Sequence, residues 1–131
     1  MTKKILKLCI RIVEQNNNKH PDPDGYRHFS FVIQGDKIME WDTNRVGAPI
    51  LFRGYPSYGK IHAEFSVWNK AKGIILKNTK FEIVNVRITK CGSIRISCPC
   101  QNCFDYLKSQ GCCRIWFTTG LGKRFAKIDC S

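Results

Sequence analysis

Apolar residues near the start of the chain recur at helical spacing. Over residues 3–14 they fall on one face, as Leu8 and Ile12 do, and charged side chains occupy other positions. The alternation of apolar and polar residues in the same stretch also fits a strand. We favour a helix for residues 3–14.

Five later segments are rich in β-branched and aromatic residues, which favour strands. The first two are separated by Gly35-Asp36, a pair typical of a hairpin turn. The last two are separated by a turn at residues 120–122 and form a second predicted hairpin. The predicted strands are residues 27–34, 37–42, 81–88, 114–119 and 124–129.

Two more helices are predicted in the centre of the chain. Residues 62–72 place Trp68 and its helical neighbours on one apolar face, and a second helix runs from Pro99 until Gly111 stops it. Residues 43–60 are rich in glycine and proline and form a long predicted loop of the kind that usually serves a site. This order of elements predicts a layered α/β sandwich around one mixed sheet.

Composition then limits the class of protein. The 131 residues carry a net charge of +12 and are 43% hydrophobic, which is too apolar for an unstructured basic arm. The length predicts a single domain over residues 1–131. No stretch approaches the roughly 18 apolar residues of a membrane helix, and no cleavable signal is recognisable, so we expect a cytoplasmic protein.

The positive charge is concentrated in one part of the chain. Residues 1–42 have a net charge of +1, whereas residues 43–131 have a net charge of +11 and only four acidic residues, one of which is Glu64. Such an excess favours an anionic partner, which could be a phosphate-bearing ligand, nucleic acid or an acidic membrane surface. A lysine-rich solvated surface without a partner is the alternative.

Two short motifs open the two central helices. Residues 62–64 have the sequence H-A-E, and residues 99–103 have the sequence P-C-Q-N-C. A cluster of cysteines in a reducing compartment binds metal more often than it forms disulfides. His62, Cys100 and Cys103 supply three ligands to a tetrahedral zinc ion and leave its fourth position to water, as in catalytic sites.

Glu64 is the candidate for proton transfer. It follows His62 by two residues, close enough to lie beside a zinc-bound water and take its proton. The combination predicts one catalytic zinc ion per chain. The alternative is a closed structural site in which Cys98 supplies a fourth ligand.

With these motifs the chain resembles the cytidine deaminase-like zinc deaminases, whose signature is H-x-E followed by P-C-x-x-C. The resemblance covers essentially the whole chain, and residues 97–103 and 114–119 look especially like small phage-type members. It implies a three-layer α/β/α sandwich with a five-stranded mixed sheet whose last two strands form an antiparallel hairpin. It also implies attack of zinc-activated water on C4 of a cytosine, giving uracil, or on C6 of an adenine, giving hypoxanthine.

The resemblance further implies two substrate contacts. In this family the backbone N–H at the position of Ala63 often binds the base, and an asparagine before the first motif often binds the sugar. Asn44 matches that asparagine best, although an Asx turn in a polar loop would explain it equally. The Phe-Asn-Ala-Arg signature of pyrimidine-nucleoside enzymes and the Trp-Ser-Pro-Cys pattern of vertebrate polynucleotide deaminases are both missing.

We therefore hypothesise a hydrolytic deaminase that converts cytosine to uracil on a phosphate-bearing substrate. The substrate is a cytidine or deoxycytidine nucleotide, or single-stranded DNA or RNA. Adenine deamination in tRNA and a non-catalytic, zinc-stapled nucleic-acid-binding module are the alternatives. Relatives often complete the site from a neighbouring subunit, so we expect a homodimer or homotetramer and no membrane partner.

Several other residues are assigned by type alone. Candidates for stacking on bases are Tyr55, Tyr58, Trp116 and Phe117, although at least one of Trp116 and Phe117 must face the core because adjacent strand residues point to opposite sides. Candidates for contacting phosphates are Arg45, Arg53 and Lys60. His20 and His28 belong to no motif and are expected on the surface or in the first hairpin. Residues expected to be small buried or half-buried apolar groups are Cys9, Cys91, Cys112, Cys113 and Cys130.

Overall fold

A mixed β-sheet forms the centre of the molecule in the computed structural model, which describes residues 1–19, 27–46, 60–75 and 80–130. The helices are α1 (Lys3–Asn16), α2 (Ala63–Ala71) and α3 (Gln101–Ser109), and a single 3-10 turn follows α1. The strands are β1 (Arg27–Gln34), β2 (Lys37–Thr43), β3 (Arg45–Val46), β4 (Lys60–Ile61), β5 (Phe81–Ile88), β6 (Ile94–Arg95), β7 (Cys112–Thr118) and β8 (Phe125–Asp129).

The strand order explains why the sheet is mixed. The main path is β2-β1-β5-β7-β8, in which β5 and β7 run parallel and every other neighbouring pair runs antiparallel. The expected mixed sheet of five strands with a terminal β7–β8 hairpin is confirmed. The short β6 adds a sixth strand by pairing with the end of β5, and β3 pairs with β4 in a separate two-stranded sheet.

Helices cover both faces of the sheet and give three layers. Helix α1 buries Cys9, Ile10 and Val13 against one face, which contributes Phe29 and Val84 to the same apolar cluster. This packing confirms the helical interpretation of residues 3–14 over the strand alternative.

Helices α2 and α3 pack on the opposite face in a second cluster. Phe65 and Trp68 from α2 and Leu107 from α3 are buried there, and Trp68 stacks on Phe81 of β5 with ring centroids 4.3 Å apart. None of the helices in the described ranges is long and apolar enough to cross a membrane.

Local sequence accounts for the ends of these elements. The side chain of Thr2 accepts a hydrogen bond from the backbone N–H of Ile5 and caps α1. Gly35 and Asp36 both have φ of 58°, which is the backbone of a two-residue hairpin turn with positive φ at both central positions. His62 and Cys100 are the N-cap residues of α2 and α3, so the two motifs stand at helix starts, as predicted.

Candidate active site

Three potential metal ligands converge where α2 and α3 begin. One ligand atom from each of His62, Cys100 and Cys103 lies within 4.8 Å of the other two. Nδ1 of His62 is 3.1 Å from Sγ of Cys103 and 3.7 Å from Sγ of Cys100. An imidazole nitrogen and two sulfurs at this spacing match the donor set and the size of a zinc site.

The helix starts hold the two sulfurs on one side. Cys100 caps α3, and its Sγ accepts a hydrogen bond of 3.4 Å from the backbone N–H of Cys103 in the first turn. A helix N-terminus favours negative charge through its exposed N–H groups and dipole. The start of α3 therefore stabilises a thiolate at Cys100.

Interactions among the three side chains shift their pKa values in different directions. The pKa of Cys100 is lowered to about 4, chiefly by the hydrogen bond from the Cys103 thiol and next by the one from His62. The pKa of Cys103 is raised because it lies beside that thiolate and is buried. The pKa of His62 is raised because its hydrogen bond to Cys100 outweighs burial. A negative charge is thus held at Cys100, where a cation would be attracted.

No fourth protein ligand joins this group among the described residues. Cys98, the candidate for a closed structural site, is exposed and is not part of the converging set. Three protein ligands leave one position of a tetrahedral metal for water, which is the arrangement of catalytic zinc sites.

Glu64 lies in the first turn of α2 and is almost completely buried, with 2% of its surface exposed. Its Oε2 accepts a hydrogen bond of 3.2 Å from Nδ2 of Asn85 on β5. Asn85 is itself held by Ser30 on β1, whose hydroxyl donates to Oδ1 of Asn85 at 2.7 Å. A chain of two hydrogen bonds across the sheet therefore fixes the orientation of the carboxylate.

A cavity of about 250 Å³ opens over the ligands and Glu64. Its lining combines the motif residues with side chains from β1, β5 and the segment before α3. The lining residues are His28, Asn44, His62, Ala63, Glu64, Arg87, Ile96, Ser97, Cys98 and Cys100. The structure therefore brings Asn44, Ala63 and Glu64 into one cavity with His62 and Cys100. The third potential ligand, Cys103, is buried and does not line the cavity, and its Sγ lies 3.1 Å from Nδ1 of His62.

Asn44 is fixed at the edge of this cavity by β1. Its Oδ1 accepts a hydrogen bond of 2.9 Å from the backbone N–H of His28, and its own N–H donates to the His28 carbonyl at 3.1 Å. These bonds span sixteen residues of sequence, so they are not those of an Asx turn.

Sequence reasoning missed three polar residues of this site. His28, Asn85 and Arg87 reach it from β1 and β5, where His28 pairs with Arg87 and Ser30 pairs with Asn85. None belongs to a short motif, because strand register brings them together. The available signal was the presence of several polar residues in each of two predicted strands, which does not single out the residues of the site.

Other residues assigned from the sequence have mixed outcomes. Cys9, Cys112 and Cys130 are buried and Cys113 is half-buried, as expected, but the expectation for Cys91 is wrong because it is exposed in the turn between β5 and β6. Arg45 and Lys60 lie on β3 and β4. The candidates that fall outside the described residues are His20, Arg53, Tyr55 and Tyr58.

Comparison with known proteins identifies the fold. No protein-family model matches the chain, and no curated protein sequence matches it. Six chains of solved structures do match. One is the dCMP deaminase from the cyanophage S-TIM5, solved in complex with dCMP and dUMP, with a TM-score of 0.56 and 17% sequence identity over 86% of this chain and 79% of that chain.

The chain has a cytidine deaminase-like fold. This confirms the fold that the two motifs implied, including the three layers and the mixed sheet. The His62, Cys100 and Cys103 group fits the zinc site expected of that fold. At 17% identity this likeness shows the fold alone, and any chemistry depends on the residues of the site.

Proposed function

We propose that this protein is a zinc-dependent hydrolytic deaminase that converts a cytosine base to uracil on a phosphate-bearing substrate. The observation that carries the proposal is the buried Glu64 carboxylate, which lines an open cavity together with the His62 and Cys100 ligands. A purely structural zinc site has no use for a buried carboxylate at that position.

The proposed metal centre is one zinc ion per chain held by His62, Cys100 and Cys103. Bound there, zinc supplies a Lewis acid that lowers the pKa of a water ligand from 15.7 toward about 7. His62 and Cys100 line the cavity beside Glu64, so a base bound in the cavity would lie next to the water that the metal would activate. The three side chains then serve only to hold the metal.

Glu64 is proposed to move protons during the reaction. It takes a proton from the attacking water, delivers it to the ring nitrogen next to C4, and then carries a second proton to the departing amino group. The bond from oxygen to C4 forms and the bond from C4 to nitrogen breaks, which gives uracil and ammonia. Asn85 keeps the carboxylate pointed at the base throughout.

Ala63 and Asn44 are the proposed substrate contacts. Ala63 is fully buried and lines the cavity, which suits recognition of the base through its backbone N–H. Asn44 lines the same cavity and is oriented by its bonds to His28, which suits a contact with the sugar.

Two arginines beside the cavity support a phosphate on the substrate. Arg87 lines the cavity and pairs directly with Arg95 of β6 across two antiparallel strands. Two cationic side chains directly opposite each other on a sheet would attract an anion such as a phosphate. The cavity volume of about 250 Å³ is smaller than the roughly 300 Å³ of the smallest typical small-molecule pockets. A cavity of this size suits one base, with the phosphate of the nucleotide lying outside it.

A free nucleotide such as dCMP is therefore the first candidate substrate. Single-stranded DNA or RNA is the second, favoured by the net charge of +11 on residues 43–131. A cytoplasmic location, a single domain over residues 1–131 and a homodimer or homotetramer remain predictions.

The test is a product screen with the zinc-loaded protein. Cytidine, dCMP, single-stranded DNA, single-stranded RNA and tRNA are incubated separately, and mass spectrometry looks for a gain of about one mass unit. We expect conversion of dCMP to dUMP, with Glu64→Gln as the inactive control. Inosine in tRNA would identify the adenine alternative, and absence of any product would favour the non-catalytic binding module.

Arg95→Gln tests the phosphate contact within the same screen. We expect KM for dCMP to rise about tenfold, because one charge-assisted hydrogen bond to the phosphate is lost. The value of kcat/KM for deoxycytidine, which has no phosphate, should stay unchanged. An equal effect on both substrates would contradict the phosphate assignment.

A further inference from the structure

Two buried polar atoms face each other beside the proposed catalytic carboxylate. Nε2 of His28 and Oε1 of Glu64 are closed off from solvent, and neither has a hydrogen-bond partner among the described residues. They lie 3.8 Å apart, which is too long for a hydrogen bond between them. Because unpaired buried polar atoms are unfavourable and rare, this pair points to a group that a ligand brings.

Hydrogen bonds elsewhere in the two residues hold His28 and Glu64 in place. The backbone of His28 exchanges two hydrogen bonds with Asn44, and its strand lies between β2 and β5. The other oxygen of Glu64 is bound by Asn85. Both residues line the cavity, and their separation of 3.8 Å would let a single ligand atom between the two polar atoms lie about 2.9 Å from each, the usual hydrogen-bond length.

The chemistry of the two atoms selects the kind of group that fits. A carboxylate oxygen only accepts hydrogen bonds, and the unprotonated nitrogen of a neutral imidazole also accepts. A nitrogen with two N–H bonds satisfies both acceptors. On the cytosine of a nucleotide the exocyclic amino group is the donor.

We propose that His28 recognises the amino group that the reaction removes. Its Nε2 accepts one amino hydrogen of the base, and Oε1 of Glu64 accepts the other. The inference rests on the proposed function and adds a specificity-determining residue to it.

The same two contacts would also favour release of the product. After deamination a carbonyl oxygen replaces the amino group, and that oxygen cannot donate to either acceptor. Uracil therefore loses both hydrogen bonds and faces a carboxylate instead. The site binds substrate in preference to product through His28.

The first test compares wild type, His28→Phe and His28→Gln in the zinc-loaded protein. His28→Phe keeps a ring but removes the acceptor, and we expect kcat/KM for dCMP to fall about tenfold or more, the size of one buried hydrogen bond. The inhibition constant of dUMP should change by less than about twofold, because dUMP makes no bond to His28. His28→Gln retains an acceptor and should restore most of the loss.

Gln34→Leu is the matched control, because Gln34 is a buried polar residue on the same strand, six residues beyond His28. It lies outside the cavity lining and should leave both constants unchanged. His28→Leu is the second apolar variant if His28→Phe does not fold.

The second test measures binding without turnover. In zinc-loaded Glu64→Gln, adding His28→Phe should weaken dCMP binding about tenfold by calorimetry and leave dUMP binding unchanged. Equal losses for dCMP and dUMP, or no loss for either, would overturn the role of His28. A wild-type protein that deaminates no substrate would overturn the proposed function instead, so the two failures are distinguishable.

Discussion

At the scale of single residues, the burial of Glu64 needs an explanation. Removing an ionised carboxylate from water is unfavourable unless it is well paired, yet Glu64 accepts a hydrogen bond from Asn85 on one oxygen and keeps its other oxygen unpartnered among the described residues. A protein selected for stability alone would replace it with an apolar residue. Its position in the same cavity as His62 and Cys100 supports the proposed chemical role.

The substitution Asn85→Leu tests whether Asn85 orients the Glu64 carboxylate for the reaction. The substitution removes the donor to Glu64 and leaves the Ser30 hydroxyl without its acceptor. We expect kcat to fall about 10–100-fold, as when a supporting residue of a metal site is lost, and the free energy of unfolding to fall by about 1–3 kcal/mol. Steady-state kinetics and urea unfolding would measure both, and an unchanged kcat in folded protein would contradict the positioning role.

Cys100 gives a test that depends on pH. Because its pKa is lowered to about 4, Cys100 in zinc-stripped protein should remain a thiolate from about pH 8 down to about pH 5 and lose that form only as the pH approaches 4. Its alkylation by iodoacetamide, mapped by mass spectrometry, should vary little over that range. The alkylation of free cysteine, whose pKa is about 8.5, should by contrast slow steeply as the pH falls over the same range.

Zinc is the control for the alkylation experiment. Adding one equivalent should protect Cys100, because the thiolate would then be a metal ligand. An alkylation rate that falls with pH as steeply as that of free cysteine, or that zinc does not change, would contradict the site.

At the scale of elements, the turn between β1 and β2 allows the effect of backbone conformation on stability to be measured separately from side-chain clashes. Gly35 has φ of 58°, whereas Gly73 after α2 has no positive φ, and an added Cβ would meet nothing within 4 Å at either position. Gly35→Ala should lower the free energy of unfolding by about 1 kcal/mol, because an L-residue is strained there. Gly73→Ala should leave it unchanged or raise it by up to about 1 kcal/mol.

Urea unfolding of both variants measures these two free-energy changes. The two variants can be compared only if their m-values are equal. Equal effects of the two substitutions would mean that the turn is not strained as described.

Periodicity and turn residues were enough to predict the long elements. The β1–β2 hairpin and β5 were predicted to within one residue, because Gly35-Asp36 and the apolar runs are strong local signals. Strands β3, β4 and β6 were not predicted, since two residues carry no periodicity and pair only because distant segments meet.

At the scale of the whole molecule, the proposed metal ligands could be predicted from the sequence, whereas the polar residues around them could not. Two short motifs at helix starts contain His62, Glu64, Cys100 and Cys103, so the spacing of these residues along the sequence is enough to predict a metal site with a carboxylate beside it. His28, Asn85 and Arg87 enter the site through the antiparallel register of β1 and β5, a long-range property that no local pattern encodes.

The net charge of +12 makes salt dependence informative about substrate length. If the substrate is a free nucleotide, log(kcat/KM) should fall only shallowly with log salt concentration, because few counterions are released. A single strand contacting about four phosphates would give a slope near −2.8. Measuring dCMP and an oligonucleotide over the same salt series therefore checks the preference for the free nucleotide.

The most direct test of the central claim is ammonia release from dCMP by zinc-loaded wild type and Glu64→Gln. The account predicts one ammonia and one dUMP per dCMP consumed by wild type, and a rate about 10²–10⁴-fold lower for Glu64→Gln with one zinc ion and the fold retained. Release of ammonia at equal rates by the two proteins would contradict it, as would a zinc-loaded wild type that releases none.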